Sequence, residues 1–166
     1  MCDCDTTFVK SEKGLYHASG PITSDDIIRT AAAILQENLT RGDTLSHPEE
    51  AARFLQMTLA NEKNEHFAVL FMNNKNQVLS FERLFSGTVD GTTVHPRVVV
   101  QKALEWNAAS VILAHNHPSG HSEPSQADRD VTQLLVEALG LIDVRVLDHL
   151  VVSQSGWESL SRRGWV

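Results

Sequence analysis

Helical and strand patterns alternate along this chain from residue 46 onward, and this alternation limits the fold more than any other feature. Four segments have the pattern of β-strands, namely 66–72, 78–85, 110–114 and 144–152. An Asn-rich turn joins the first two, which predicts a β-hairpin, and the third is a continuous apolar run typical of a buried strand. Helical spacing follows Pro96 and again covers Gln126 to Leu139. This order favours an α/β fold in which helices flank a mixed β-sheet.

The first sixty residues have a different pattern. Residues 1–21 predict an irregular arm with room for a short strand, and Thr23 and Ser24 begin a predicted helix that ends at Arg41-Gly42-Asp43. A second helix is predicted after Ser46, which stands three residues before Glu49 as in a capping box. We therefore expect residues 1–60 to form an arm with helices and residues 61–166 to form the α/β domain.

Composition narrows the class of protein. Lys and Arg total 14 against 21 Asp and Glu, which gives a net charge of −7 and a pI near 5.5. Bulk charge therefore does not support direct binding to nucleic acid or to an anionic membrane. Cys2 and Cys4 are too few for a disulfide framework. The chain begins without a leader pattern and has no apolar run of spanning length, so we expect a cytoplasmic protein without a membrane segment.

The residues that can carry chemistry are concentrated between 115 and 128. His115 and His117 follow a predicted buried strand, and the C-terminal ends of strands are where α/β sheets place their ligands. Two imidazoles and a carboxylate such as Asp128 would make a three-ligand zinc site with one open position, as in catalytic zinc centres. The same pattern also has a structural interpretation, because Ser125 and Asp128 are spaced like the cap of a helix. At this point both interpretations of Asp128 remain open.

The spacing from His115 through His117 and Ser125 to Asp128 resembles the JAMM signature of JAB/MPN metalloproteases. Beyond that signature the chain resembles the bacterial RadC family. The segments that carry this resemblance are Glu65-His66-Phe67, Phe85-Ser86-Gly87-Thr88, Val94-His95-Pro96-Arg97, Ala114-His115-Asn116-His117-Pro118-Ser119-Gly120 and Leu147-Asp148-His149. They lie in order within residues 60–166, and the helix-hairpin-helix module of full-length RadC proteins is not recognisable before them.

The resemblance implies a JAB/MPN domain whose fold is related to that of cytidine deaminase. The Zn²⁺ ligands that it implies are His115, His117 and Asp128. It further implies that Ser125 helps to hold the oxyanion of a tetrahedral intermediate and that Glu65 is the general base for zinc-activated water. Glu82 is the second candidate for the base, and Glu62 is a weaker one.

Other polar residues near these segments have mainly structural interpretations. His95 and Arg97 flank Pro96 at the start of a predicted helix. Asp148 is a candidate hydrogen-bond partner for a ligand histidine, and a buried Asp148–His149 pair is the alternative. Asn116 is expected to shape the loop.

The leading functional hypothesis is zinc-dependent hydrolysis of a peptide or isopeptide bond in a peptide or protein substrate that the sequence does not identify. One alternative is a DNA-repair-associated factor that acts through nucleic acid or a protein partner, and another is a non-catalytic MPN docking module. Cytidine deamination is excluded because its zinc signature needs a Pro-Cys-x-x-Cys segment, whereas no cysteine follows Cys4. The oligomeric state is left open.

Overall fold

The computed structural model describes residues 8–40, 48–88 and 92–166. Within these ranges the elements are β1 (Phe8–Lys10), β2 (Tyr16–Ala18), α1 (Ser24–Thr40), α2 (Pro48–Leu59), β3 (His66–Met72), β4 (Val78–Ser86), α3 (Pro96–Glu105), β5 (Ser110–Asn116), α4 (Gln126–Gly140), β6 (Arg145–Ser153) and β7 (Gly156–Ser159). Cys2, Cys4, the predicted helix end at Arg41-Gly42-Asp43 and the predicted cap Ser46 lie outside the described residues. None of the described helices combines the length and the hydropathy that a membrane crossing requires.

The N-terminal segment contains one small sheet and then a helix. β1 and β2 pair antiparallel, so the predicted arm holds two short strands. Thr23 caps α1, because its Oγ1 accepts from the N–H of Asp26 at 3.2 Å and its own N–H donates back to Asp26 Oδ2 at 2.8 Å. The helix start predicted at Thr23 and Ser24 is therefore confirmed. The predicted division between residues 60 and 61 stays a prediction.

Five strands form one mixed sheet in the order β4-β3-β5-β6-β7. β5 and β6 are parallel and are connected through α4, whereas the other neighbours are antiparallel. The predicted hairpin is β3 and β4, and its turn contains Asn76 at φ 55, a left-handed conformation that asparagine tolerates. The expected α/β architecture with a mixed sheet is confirmed, and β7 is an additional strand that the sequence pattern did not predict.

Helices cover both faces of this sheet, and each face has its own core. On one face, α2 contributes Phe54, Leu55 and Leu59, which pack against alternate residues of β3, β5 and β6. On the opposite face, α3 and α4 contribute Val99 and Leu135, among others, to the second core. Burying a leucine or phenylalanine side chain stabilises the fold by about 1.5–3 kcal/mol, so α2 is an integral part of the sheet's core.

A register shift between β5 and β6 decides which residues face α4. Val111 pairs with Val146, but the next residue, Ile112, pairs with Asp148, so β6 has one extra residue at this point. Leu113 then pairs with His149. Successive side chains of a strand point to opposite faces, and Leu113 belongs to the core under α3 and α4. His149 therefore faces α4, on the same side of the sheet as His115.

Candidate metal centre

Three side chains converge where β5 ends and α4 begins. His115 Nε2 lies 3.0 Å from His117 Nε2 and 3.0 Å from Asp128 Oδ1, and His117 Nε2 lies 3.6 Å from Asp128 Oδ2. One ligand atom from each residue lies within 4.8 Å of the other two. Two imidazole nitrogens and a carboxylate oxygen are a donor set that binds zinc in proteins, so the group could hold a metal ion.

Asp128 is both a helix cap and a member of this group. Ser125 is the N-cap of α4, and its N–H and its hydroxyl both donate to Asp128 Oδ2, at 2.6 and 2.7 Å. The N–H of Asp128 donates back to Ser125 Oγ at 3.2 Å, which completes a capping box. The other carboxylate oxygen faces His115. The two interpretations that the sequence left open are therefore compatible.

The loop after β5 fixes which nitrogen of His117 is free. His117 Nδ1 donates to the main-chain oxygen of His121 at 3.0 Å, and a carbonyl oxygen can only accept. The lone pair of the neutral ring is therefore on Nε2, the atom that faces Asp128. Gly120 adopts φ +87 inside this loop, a conformation that favours glycine, and its N–H donates to His117 O at 3.1 Å.

The electrostatics of the group favour an anionic carboxylate. Burial by itself raises the pKa of Asp128, but the adjacent imidazoles of His115 and His117, together with the hydroxyl of Ser125, outweigh it and hold this pKa far below its ordinary value. The hydrogen bond to Asp128 raises the pKa of His117 against the opposing effect of burial, and the charge of Glu65 adds to that rise. A fixed negative charge beside two imidazoles suits a bound cation.

His115 has a partner on its other side that the sequence interpretation missed. His115 Nδ1 lies 2.8 Å from His149 Nε2, and His149 is fully buried. Burial, followed by repulsion from His115, lowers the pKa of His149 well below its ordinary value. The carboxylate of Asp148 instead accepts from Ser159 Oγ at 2.7 Å and from the N–H of Ser161 at 3.0 Å. Asp148 is therefore hydrogen-bonded to the C-terminal segment. His149, and not Asp148, is the hydrogen-bond partner of the candidate ligand His115.

A cavity of about 350 Å³ opens beside the group. Its lining consists of Glu65, Phe67, Thr92, Val94, His115, His117, Pro118, Ser119, Ser125, Ala127, Asp128 and Val131. Both predicted catalytic residues, Glu65 and Ser125, are thus in the cavity with the three candidate ligands. Phe67, Val94 and Val131 give the cavity an apolar wall.

Asn116 holds the segment that carries Glu65. Its side chain is fully buried, its Oδ1 accepts from the N–H of His66 at 2.8 Å, and its Nδ2 donates to the carbonyl of Asn64 at 3.0 Å. These contacts bracket Glu65 on both sides. Thr92 Oγ1 donates to the carbonyl of Glu65 at 3.0 Å, so the main chain here is held from two directions.

The other candidates lie elsewhere. Glu82 accepts from Trp106 Nε1 at 2.5 Å and lies 3.5 Å from Lys102 Nζ, on the side of β4 that faces α3. Glu62 forms an ion pair with Arg83 at 2.6 Å. Neither of these glutamates lines the cavity. His95 and Arg97, which flank Pro96, are also outside the cavity lining.

Comparison with known proteins identifies the family to which most of the chain is similar. Residues 45–165 match the family described as RadC-like JAB domain. A UPF0758 protein of Alcanivorax borkumensis is 54% identical over 132 residues, which are 80% of this chain and 59% of that protein. A UPF0758 protein of Vibrio cholerae is 49% identical over 140 residues, which are 84% of this chain and 88% of that protein.

A third relative, a UPF0758 protein of Vibrio campbellii, is 46% identical over 140 residues, which are 84% of this chain and 62% of that protein. The chain therefore spans only 59% of the Alcanivorax protein and 62% of the Vibrio campbellii protein. The name that these relatives share states no activity. The family match, however, extends from the start of α2 through β7 and includes the three converging side chains. This chain belongs to the family of RadC-like JAB domain proteins.

Proposed function

We propose that this protein is a zinc-dependent hydrolase that cleaves a peptide or isopeptide bond, in the manner of JAMM metalloproteases. The observation that carries the proposal is that three candidate ligands, a candidate base and a candidate oxyanion donor line one cavity. A structural zinc site is normally closed by four protein ligands, whereas catalytic zinc sites have three and an open position. The three-membered group found among the described residues fits the second class.

His115, His117 and Asp128 would hold the ion in this proposal. Bound zinc acts as a Lewis acid that lowers the pKa of water to about 7. The protein's part is to present two neutral imidazoles and one carboxylate from a rigid frame. β5 carries His115, the β5–α4 loop carries His117, and the capped first turn of α4 carries Asp128.

Glu65 is the proposed general base. Glu65 lines the cavity, and its charge contributes to the raised pKa of His117. It would take a proton from the attacking water and pass it to the leaving amine, a proton transfer that typically contributes 10²–10⁴-fold to the rate. Asn116 supports this role because it holds the main chain on both sides of Glu65.

Ser125 is the proposed donor to the oxyanion. Its hydroxyl donates to Asp128 in the capping box, and Ser125 is one of the residues that line the cavity. In the proposal this hydroxyl exchanges its bond with Asp128 for one with the substrate oxygen as negative charge develops there. Asp128 keeps the N–H of Ser125 as its cap donor during this exchange.

The experiment begins with metal analysis of the purified full chain. We expect about one zinc per chain, loss of that zinc in His117→Ala, and retention in His121→Ala, because His121 contributes only its main-chain carbonyl to the site. Hydrolysis is then measured with a fluorescence-quenched library of random peptides and of isopeptide-linked lysine peptides. Glu65→Gln should keep zinc and lower the cleavage rate by about 10²-fold or more, whereas Glu82→Gln should not. Equal cleavage by the Glu65→Gln variant and the parent chain would overturn the assignment of the base.

A further inference from the structure

We infer that His149 is a positioning residue that fixes the tautomer of His115, so that His115 presents its Nε2 lone pair to the metal. The inference rests on the proposed zinc site and deepens it. It concerns a residue outside the cavity lining, which therefore contacts neither substrate nor metal directly. A network of three hydrogen bonds in series joins β5, β6 and α4 and supports this inference.

The network consists of three hydrogen bonds, two between side chains and one from a side chain to the main chain. His115 Nδ1 lies 2.8 Å from His149 Nε2, and His149 Nδ1 lies 2.6 Å from Thr132 Oγ1. Thr132 Oγ1 lies 2.5 Å from the main-chain oxygen of Asp128, one helical turn earlier on α4. The network therefore starts at one candidate ligand, His115, and ends on the main chain of another, Asp128.

The residues of this network are buried, so its protons are hard to rearrange. His149 and Thr132 are fully buried, and His115 is 2% exposed. The ring of Phe67 covers the pair, with centroids 5.4 Å from His149 and 6.4 Å from His115. Each of these polar atoms must have its hydrogen-bond partner within the network, because a buried donor or acceptor without a partner costs about 1–3 kcal/mol.

The direction of the hydrogen bonds follows from the last link. Asp128 O is a carbonyl and can only accept, and two oxygen atoms 2.5 Å apart need a proton between them. The hydroxyl of Thr132 therefore donates to Asp128 O. Since that hydroxyl has one proton, it accepts from His149 Nδ1, and His149 Nε2 is left as an acceptor.

The proton of the candidate ligand His115 is fixed by the same hydrogen bonds. His149 Nε2 accepts, so His115 Nδ1 carries the proton and His115 Nε2 carries the lone pair. Nε2 is the atom that faces His117 and Asp128. With the opposite direction, His115 Nε2 would carry the proton and could not bind a metal ion. Thr132 and His149 thus do for His115 what the carbonyl of His121 does for His117.

Nuclear magnetic resonance tests the assignment without any measurement of activity. The full chain is labelled with ¹⁵N-histidine, loaded with zinc and recorded in a long-range ¹H–¹⁵N correlation experiment. We expect His149 to be protonated at Nδ1, and His115 to be protonated at Nδ1 and bound through Nε2. A proton on Nε2 of His149 would contradict the inference outright, since this measurement does not depend on the folding of any variant.

Two pairs of variants test the consequence for metal binding. Thr132→Val removes the hydroxyl at similar volume, and Thr132→Ser keeps it. His149→Leu removes the acceptor, and His149→Gln can restore it through Oε1. In competition with a fluorescent zinc chelator, we expect Thr132→Val and His149→Leu to bind zinc about 10–100-fold more weakly than the parent chain. Thr132→Ser should stay within about 3-fold of the parent chain, and His149→Gln should bind more tightly than His149→Leu.

The outcomes separate this inference from the proposed function. If the parent chain binds one zinc that His117→Ala removes, while Thr132→Val and His149→Leu bind as tightly as the parent chain, only the positioning role of His149 is overturned. If the parent chain binds no zinc, the metal site itself is overturned and the positioning role with it. Unfolding in urea with a chelator present identifies any variant whose fold is lost, and the tautomer measurement then decides alone.

Discussion

Ser125 and Asp128 hold each other in a reciprocal pair of hydrogen bonds at the first turn of α4, while the free oxygen of Asp128 faces His115. One carboxylate thus serves helix α4 through Oδ2 and the candidate metal centre through Oδ1. The start of α4 and the geometry of the site are therefore set by the same residue. Substitutions that keep one of the two roles can separate them.

Asp128→Asn is the first such substitution. The amide oxygen can still accept from the N–H of Ser125, so α4 should keep its cap, but the neutral amide is a poor zinc ligand. We expect zinc affinity to fall by about 100-fold or more, with helicity in far-ultraviolet circular dichroism unchanged. Ser125→Ala is the matched variant, and it should destabilise the chain by about 1 kcal/mol while zinc is retained. Tight zinc binding by Asp128→Asn would count against Asp128 as a ligand.

Asn116→Ala should separate metal binding from the position of the base. The substitution removes the partners of His66 N–H and Asn64 O, two main-chain groups that it leaves without their hydrogen bonds. We expect a loss of about 1–3 kcal/mol in the free energy of unfolding, because two hydrogen bonds that typically contribute about 0.5–1.5 kcal/mol each are removed. Zinc content should be unchanged while cleavage of the peptide library falls.

Asn74→Ala, in the exposed β3–β4 turn, is the control for Asn116→Ala and should affect neither zinc content nor cleavage. Cleavage at the parent rate by a folded Asn116→Ala chain would mean that Glu65 does not depend on Asn116. Loss of zinc would mean instead that Asn116 supports the ligands.

The stability of the zinc-free chain should fall in mild acid. The pKa of His149 is lowered by burial, so near pH 6 the unfolded chain binds a proton at this residue and the folded chain does not. The free energy of unfolding should therefore drop as the pH falls below about 6.5, by at most about 1.4 kcal/mol per pH unit. His117 has a raised pKa and the opposite sign, since its contribution is complete below about 6.5 and is lost at higher pH.

Urea unfolding between pH 5.5 and 7.5 in the presence of a chelator measures this dependence. His149→Gln removes the titrating group and should flatten the fall between pH 6.5 and 5.5. An unchanged slope in this variant would show that other groups cause the acid sensitivity.

Gly120→Ala should weaken the site through the backbone alone. A Cβ at this position meets nothing within 4 Å, so any cost comes from the left-handed φ of +87. We expect a loss of about 1 kcal/mol in stability and weaker zinc binding, because the loop also positions the carbonyl that fixes His117. Gly140→Ala is the control, since that glycine has open space and ends a helix without a left-handed φ, and it should be neutral or slightly stabilising. Equal zinc affinity in the two variants would contradict the role of the loop.

Much of this architecture can be predicted from residue patterns. The two features that were not predicted, the place of His149 at the site and strand β7, have a specific cause. The hairpin, β5, α3 and α4 all follow from apolar spacing and turn residues, and the convergence of His115, His117 and Asp128 follows from their place after a buried strand. Strict alternation from the buried Val144 through Val146, however, puts Asp148 on the face covered by α4.

The extra residue in β6 reverses that alternation and brings His149 to the site instead. No residue type in this segment marks such a shift, since it arises from pairing with β5. For the same reason β7 was not predicted, because its four residues pair with β6 after only a short turn.

Thr132 lies one turn after Asp128 on α4 and is hydrogen-bonded to His149. This arrangement limits which substitutions the protein can accept during evolution. The hydroxyl of Thr132 orients His115 only while residue 149 accepts from His115 and donates to Thr132. In turn, a histidine at position 149 orients His115 only while residue 132 can accept its proton. Replacing Thr132 alone by an apolar residue strands the Nδ1–H of His149, and replacing His149 alone strands the Nδ1–H of His115. Replacing both leaves only the Nδ1–H of His115 without its acceptor, so the second replacement adds less than it would alone. The two positions should therefore be inherited as a pair, and in a double-mutant cycle their effects on stability should fall short of adding up.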